Sequence, residues 1–283
     1  LRKFSMLSGK QFERLTSAYN EALAAEKAGH RVEAAALYRT CLELDPADTC
    51  GASVRLASMG LGDAPAKAPD AYVATLFDQH ADVFDDILTG DLGYAVPMQL
   101  AEILHRDPDL HFARMLDLGC GTGLSGMTLG DICDHATGVD ISENMIDKSD
   151  ERAVYDALFV NEAVHFLEEW EKAEGDDYAP FDLIVATDVL PYIGALEPLF
   201  AGVTANTNPG ACFAFSAETL GEEDFGGNSW RVTPNQRFAH TATYLKSLLE
   251  EHGFSRVTSF DPITVRSEQG APIPGWLVVA WKG

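Results

Sequence analysis

Met115-Leu116-Asp117-Leu118-Gly119-Cys120-Gly121-Thr122-Gly123 decides how the rest of this chain is read. An apolar run of strand character enters a turn with glycine at alternate positions, and Leu124–Asp131 follows with a helical pattern. Glycine tolerates positive φ and lets a ligand lie against bare backbone. In an open α/β sheet, ligands settle just beyond the carboxyl ends of the strands, where such a turn sits. The stretch therefore predicts a first strand, a tight turn, a helix and a binding site together.

Outward from it, short apolar runs alternate with helical segments. The predicted strands are Met115–Leu118, Thr137–Ile141, Leu158–Asn161, Leu183–Thr187, Cys212–Ser216, Val257–Phe260 and Leu277–Trp281. Helical patterns fall at Leu124–Asp131, Glu143–Arg152, Ala163–Ala173, Ile193–Thr204 and Thr241–His252. This alternation predicts an α/β, Rossmann-like, doubly wound and mostly parallel seven-stranded sheet covered on both faces. Only a turn-rich stretch separates the last two strands, so the last strand is expected to be antiparallel.

Residues 1–60 read differently, as a small all-α module. Leu15, Ala18, Ala22 and Ala25 recur at helical spacing, as do Ala34, Leu37, Cys41 and Leu44; Gly29-His30 separates the two runs and Asp45-Pro46 ends the second. From Leu15 to Asp48 this resembles one tetratricopeptide repeat, with Gly29, Tyr38 and Leu42-Glu43-Leu44-Asp45-Pro46 in the expected places. A lone repeat does not bury its apolar face, so it is expected to dock on the main domain or to bind a protein partner. Residues 61–70 have linker composition, and the main domain is expected over 71–283. Leu76, Val83 and Ile87, with Phe77, Phe84 and Leu88, predict an amphipathic helix after the linker; Pro97 suits the first turn of another.

The formal charge of −24 over 283 residues repels phosphate backbones, which argues against nucleic acid as a partner. No stretch is long and apolar enough to span a membrane. The five cysteines are scattered without a Cys-x-x-Cys pair, so neither a disulfide framework nor a metal site is expected, and a cytoplasmic setting is the simplest.

Two ligands compete for the glycine turn, because Gly121-Thr122-Gly123-Leu124-Ser125-Gly126 also matches a dinucleotide fingerprint. A pyrophosphate at the turn would meet the carboxylate of Asp117 unfavourably, whereas the ammonium and sulfonium of S-adenosylmethionine are favoured by it. The second strand ends Gly138-Val139-Asp140-Ile141-Ser142, where Asp140 is placed to accept both ribose hydroxyls. Ser142 is placed to cap the next helix, and Met145 to pack on adenine. Glu162, after the third strand, is placed to accept from the adenine amino group.

With Phe181–Leu190, these pieces resemble the class I S-adenosylmethionine-dependent methyltransferase family, and with the helical repeat in front they are similar to bacterial repeat-containing methyltransferases. The resemblance covers about Tyr72 to Gly283. It implies that Gly119, Cys120, Gly121 and Gly123 approach the methionine part, that Asp140 and Ile141 hold the ribose side, and that Glu162 meets adenine, a place where the family commonly has aspartate. S-adenosylmethionine is the implied cofactor and a small molecule the implied acceptor.

On the acceptor side, Asp188 and Tyr192 follow the fourth strand and are expected to face the methyl group. His240 is the candidate base, after a polar insertion from Gly221 to Gln236 expected to roof the pocket. Tyr72, Phe77 and Tyr94 are candidates for an aromatic lid. The rival functions are a cofactor-binding interaction protein that recruits partners through its repeat and a NAD-dependent oxidoreductase.

Overall fold

A computed structural model describes residues 8–81, 93–174, 179–268 and 270–283. The amino-terminal helices are α1 (Gly9–Lys27), α2 (Arg31–Leu44) and α3 (Ala52–Ser58). Ala22 and Ala34 are wholly buried between α1 and α2, where small side chains let the backbones approach. Asp48 starts α3 by accepting from the backbone N–H of Ala52 at 2.6 Å and of Ser53 at 3.0 Å, which satisfies donors a helix start leaves free.

The main domain continues with α4 (Asp70–His80), α5 (Val96–Leu104), β1 (Phe112–Leu118), α6 (Leu124–Leu129), β2 (Cys133–Asp140), α7 (Glu143–Arg152), β3 (Ala157–Val160), α8 (Ala163–Glu174), β4 (Phe181–Ala186), α9 (Glu197–Ala205) and β5 (Thr207–Glu218). Then follow β6 (Trp230–Val232), β7 (Phe238–His240), α10 (Ala242–Glu251), β8 (Arg256–Glu268) and β9 (Ala271–Trp281). Strands β3-β2-β1-β4-β5 pair in parallel in that order, and β9 lies antiparallel between β5 and β8. The seven expected strands are all present, with the antiparallel one where the missing crossover helix required it.

Two further strands were not foreseen. β5 outruns β4, whose pairing ends at Ala186 with Phe215, and the freed edge takes β7 at Glu218 with Ala239. β6 pairs with β7 to complete a hairpin. Each strand has only three residues, too short for an alternating pattern to register.

One core lies on each face of the sheet. Leu118, Ile184, Phe213 and Phe215 pack under α8–α10 with Trp170, Phe200 and Leu248; Met115, Leu183 and Val279 pack on the other face with Leu100 and Leu129. A smaller core joins Val54 of α3, Ala68, Val73 of α4, and Val232 and Phe238 of the hairpin. The helical module is thus docked on the main domain through its third helix.

The stretch read as a linker is pinned. The carbonyl of Ala66 accepts from the N–H groups of Gly194 and Ala195, both at 2.8 Å, and Ala68 donates to the Tyr192 carbonyl at 2.8 Å. Pro65 and Pro69 keep these residues extended, which lets Lys67 form an antiparallel bridge with Ile193. Val83, Phe84, Ile87 and Leu88 of the expected amphipathic helix lie outside the described residues. Among the described residues no helix is long and apolar enough to cross a membrane.

Candidate active site

A cavity opens at the carboxyl ends of β1, β2, β3 and β4. Its floor is the glycine turn. Gly119 has φ +66° and Gly121 φ +54°, backbone settings that suit glycine. A Cβ on Gly119 would also come within 2.5 Å of the Val189 side chain. The turn is tied to β2, since the N–H groups of Gly119 and Cys120 both donate to the Val139 carbonyl, at 2.7 and 3.0 Å.

Asp140, at the end of β2, reaches back to this turn. Its Oδ2 accepts from the Gly121 N–H and its Oδ1 from the Ser142 N–H, each at 2.9 Å. A carboxylate has about four acceptor positions, so each oxygen keeps one for a further donor. Burial pushes the Asp140 carboxyl up to about 6 against the pull of the backbone N–H groups of Ser142, Gly121 and Ile141. Ser142 caps α7 by accepting from Met145 N–H at 3.1 Å and donates to Asp78 of α4 at 2.6 Å.

Asp117 lies deeper than expected. It is fully buried beneath the turn, accepts from the Tyr155 hydroxyl at 2.5 Å, and does not line the cavity. Burial raises its carboxyl to about 7. Gly123 likewise does not line the cavity; a Cβ there would press on Ser149 and Val154, each at 3.0 Å. Met145 is wholly buried and also absent from the wall, whereas Gly119, Cys120, Gly121, Asp140, Ile141 and Glu162 all line it. Burial pushes the Cys120 thiol well up, so it is no ready nucleophile. Glu162 caps α8 by accepting from His165 N–H at 2.8 Å, and its other oxygen lies 3.5 Å from the Lys67 ammonium.

The opposite wall holds Asp188 and Tyr192. Asp188 has φ +61°, uncommon for a residue with a side chain, and its N–H donates to Ser216 Oγ at 3.0 Å. Its Oδ1 is ion-paired with Arg237. Arg237 also donates from Nε to Glu218 Oε1 at 2.6 Å and to the Tyr192 hydroxyl at 2.5 Å, with its guanidinium 4.7 Å from that ring's centre. Arg266 pairs with the same Glu218 oxygen and lies 3.2 Å from Glu268. Buried charges persist only when paired and hydrogen-bonded, and this chain of ions from β5, β7 and β8 meets that condition. Burial keeps the Tyr192 phenol protonated by raising its titration.

His240 is not brought to this wall. It ends β7 wholly buried, with Nε2 2.9 Å from the Ile193 carbonyl and 3.2 Å from that of Gly194, so the proton is assigned to Nε2. Burial lowers its titration to about 4. Phe77 and Tyr94 line the cavity; Tyr72 does not, and packs instead where a Cβ on Gly51 would fall.

Sequence reading missed Lys67, Ala68, Asp70 and Val73, which line the cavity from the pinned stretch and α4, and Asn161 and Thr187 at strand ends. It also missed the ion pair that carries Asp188. The two prolines around Lys67 were the available signal for the first group; the Arg237 pairings span 19 and 49 positions and leave no local pattern.

The family described as methyltransferase domain matches residues 91–259. No curated protein matches the chain by sequence. Among solved structures, the fold is similar to magnesium protoporphyrin IX methyltransferase of Synechocystis PCC 6803 with bound S-adenosylmethionine, with a TM-score of 0.55 and 14% identity over 76% of this chain and 97% of that one. It is also similar to an N-methyltransferase of Bradyrhizobium japonicum in complex with S-adenosylhomocysteine, with a TM-score of 0.52 and 15% identity over 74% and 98% of the two chains. At such identities the likeness is one of fold, while the family match spans more than half of the chain. The chain belongs to the methyltransferase-domain family.

Proposed function

We propose that this protein transfers the methyl group of S-adenosylmethionine to a small-molecule acceptor held between the glycine turn and Asp188. The observation that carries the reading is Asp140. Its two oxygens are fixed by backbone donors from the turn and from α7, and each keeps a lone pair to accept one of two neighbouring ribose hydroxyls. The acidic wall, with Asp70, Asp140, Glu162 and Asp188 against the single cation Lys67 among its described residues, fits a cationic nucleoside better than a diphosphate.

When bound, S-adenosylmethionine supplies a methyl carbon already activated by its sulfonium. The chain's own residues then have to orient and enclose. Gly119 and Gly121 let the methionine part approach the backbone, Asp140 and Ile141 hold the ribose side, and Glu162 and Asn161 flank the adenine end. Phe77, Tyr94 and Tyr192 enclose the acceptor end and exclude water. Alignment of two reactants can supply up to about 7–11 kcal/mol of barrier reduction, so positioning suffices as the main device.

We further read the helical module as a single tetratricopeptide-like unit whose third helix is spent on docking; the face formed by α1 and α2 is the part left for a protein partner. A crystal grown with S-adenosylhomocysteine tests the main reading. The ribose hydroxyls should lie on Asp140 and the homocysteine on Gly119–Gly121; ligand density in another place would refute it.

A further inference from the structure

Resting on that reading of the pocket, we infer that the methyl acceptor is an amine on an apolar body, which attacks as its free base while Asp188 stabilises the positive charge the nitrogen acquires.

Three observations lead there. The first concerns bases. All eight histidines fall within the described residues and none lines the cavity, His240 included, since it spends Nε2 on two carbonyls. The phenols of Tyr94 and Tyr192 are held protonated by burial, and Lys67 is paired with Asp70 at 2.7 Å and Glu162 at 3.5 Å. The wall's carboxylates are engaged too, Asp70 and Glu162 with Lys67, Asp140 with the backbone of the turn and Asp188 with Arg237, whereas an alcohol or phenol must lose its proton before or during attack and would need a poised base. A free amine carries its lone pair already.

The second observation is Asp188 itself. Its positive φ and its ion pair with Arg237 are held by Ser216 and Glu218, so a backbone setting that costs free energy is maintained at the cavity wall. Arg237 takes Oδ1, and among the described residues Oδ2 has no protein partner. The third is the wall's balance of charge, which is acidic and disfavours acceptors that arrive as anions, such as carboxylates or thiolates. The same cavity is also lined by the apolar or aromatic side chains of Val73, Phe77, Tyr94, Val189 and Ile193.

The step balances without another reactant. An amine entering as its ammonium first releases a proton to water. Its lone pair then forms the nitrogen–methyl bond as the carbon–sulfur pair stays on sulfur, giving neutral S-adenosylhomocysteine. The positive charge moves from sulfur to nitrogen, and a nitrogen proton then leaves to water. A fixed carboxylate on the acceptor side favours charge moving in that direction.

Calorimetry on protein saturated with S-adenosylhomocysteine tests this with a matched pair of probes, phenethylamine and 2-phenylethanol. The wild type should bind the amine at least about tenfold tighter, a difference of about 1.4 kcal/mol. In Asp188→Asn that preference should fall to within about twofold. An alcohol bound as tightly as the amine, no binding of the amine, or a preference that survives Asp188→Asn would each overturn the assignment. The wild-type comparison decides even where the variant does not fold. Failure of S-adenosylhomocysteine to saturate the protein would instead strike the cofactor reading beneath it.

Discussion

The two halves of the cavity are built on different principles. The glycine-turn half is assembled from the ends of β1, β2 and β3, where each functional group sits within a few residues of its own strand and its bonds are mostly to backbone. The Asp188 half draws on β4, β5, β7, β8 and the pinned stretch before α4, and its bonds are mostly between charged side chains. Backbone-held groups need only the right turn, so their identity follows from local sequence. Side-chain networks need the whole domain in place. Under the proposed function, the first half holds the invariant ligand and the second the acceptor that sets specificity.

This contrast can be broken in order of expected effect. Gly121→Val places a branched side chain at φ +54° on the cavity floor and should abolish S-adenosylhomocysteine binding, a loss of more than about 100-fold by calorimetry. Retained affinity would mean that the turn does not carry the ligand. Arg237→Met leaves Glu218 and Asp188 without a shared partner and should cost about 3–5 kcal/mol in urea unfolding, since a buried pair has been broken from one side. A cost below about 1 kcal/mol would show the network to be incidental.

Asp140→Ala should weaken S-adenosylhomocysteine by about 1–3 kcal/mol as the ribose hydroxyls lose their acceptor, and should also lower the stability of the unliganded fold, since the Gly121 and Ser142 N–H groups lose theirs. His240→Gln should have the smallest effect on catalysis, leaving turnover and its pH profile unchanged once an acceptor is in hand. Its mark should be on stability. Burial holds His240 near 4 against an ordinary 6.5, so its contribution is present above about 6.5 and is lost as pH falls from there towards 4. The variant should flatten that part of the stability curve, as followed by thermal unfolding between pH 4 and 7.

Legibility in the sequence follows the same division. Met115–Gly123 encodes a strand, a turn and one end of the cavity in a single local pattern, and Asp140 and Ile141 line that cavity by their place at the next strand end. Asp117 shows the limit even there. Its position in the motif was plain, but its burial against Tyr155, 38 positions away, depends on how α6 and the connection between α7 and β3 close over the turn. The β6–β7 hairpin escaped notice because three-residue strands carry no period. Lys67 was hidden in a stretch whose alanines and prolines read as a spacer, although two prolines also hold a chain extended enough to pair. His240 looked like a base from its place before a helix. Its seclusion is set by residues 193 and 194, which approach it only in the folded chain.

A direct test of the central claim is calorimetric titration of the purified protein with S-adenosylhomocysteine and, separately, with NADH. The structure predicts saturable one-site binding of the sulfur nucleoside in the micromolar range, about −8 kcal/mol, and no heat from the dinucleotide. Binding of NADH with S-adenosylhomocysteine silent would contradict it.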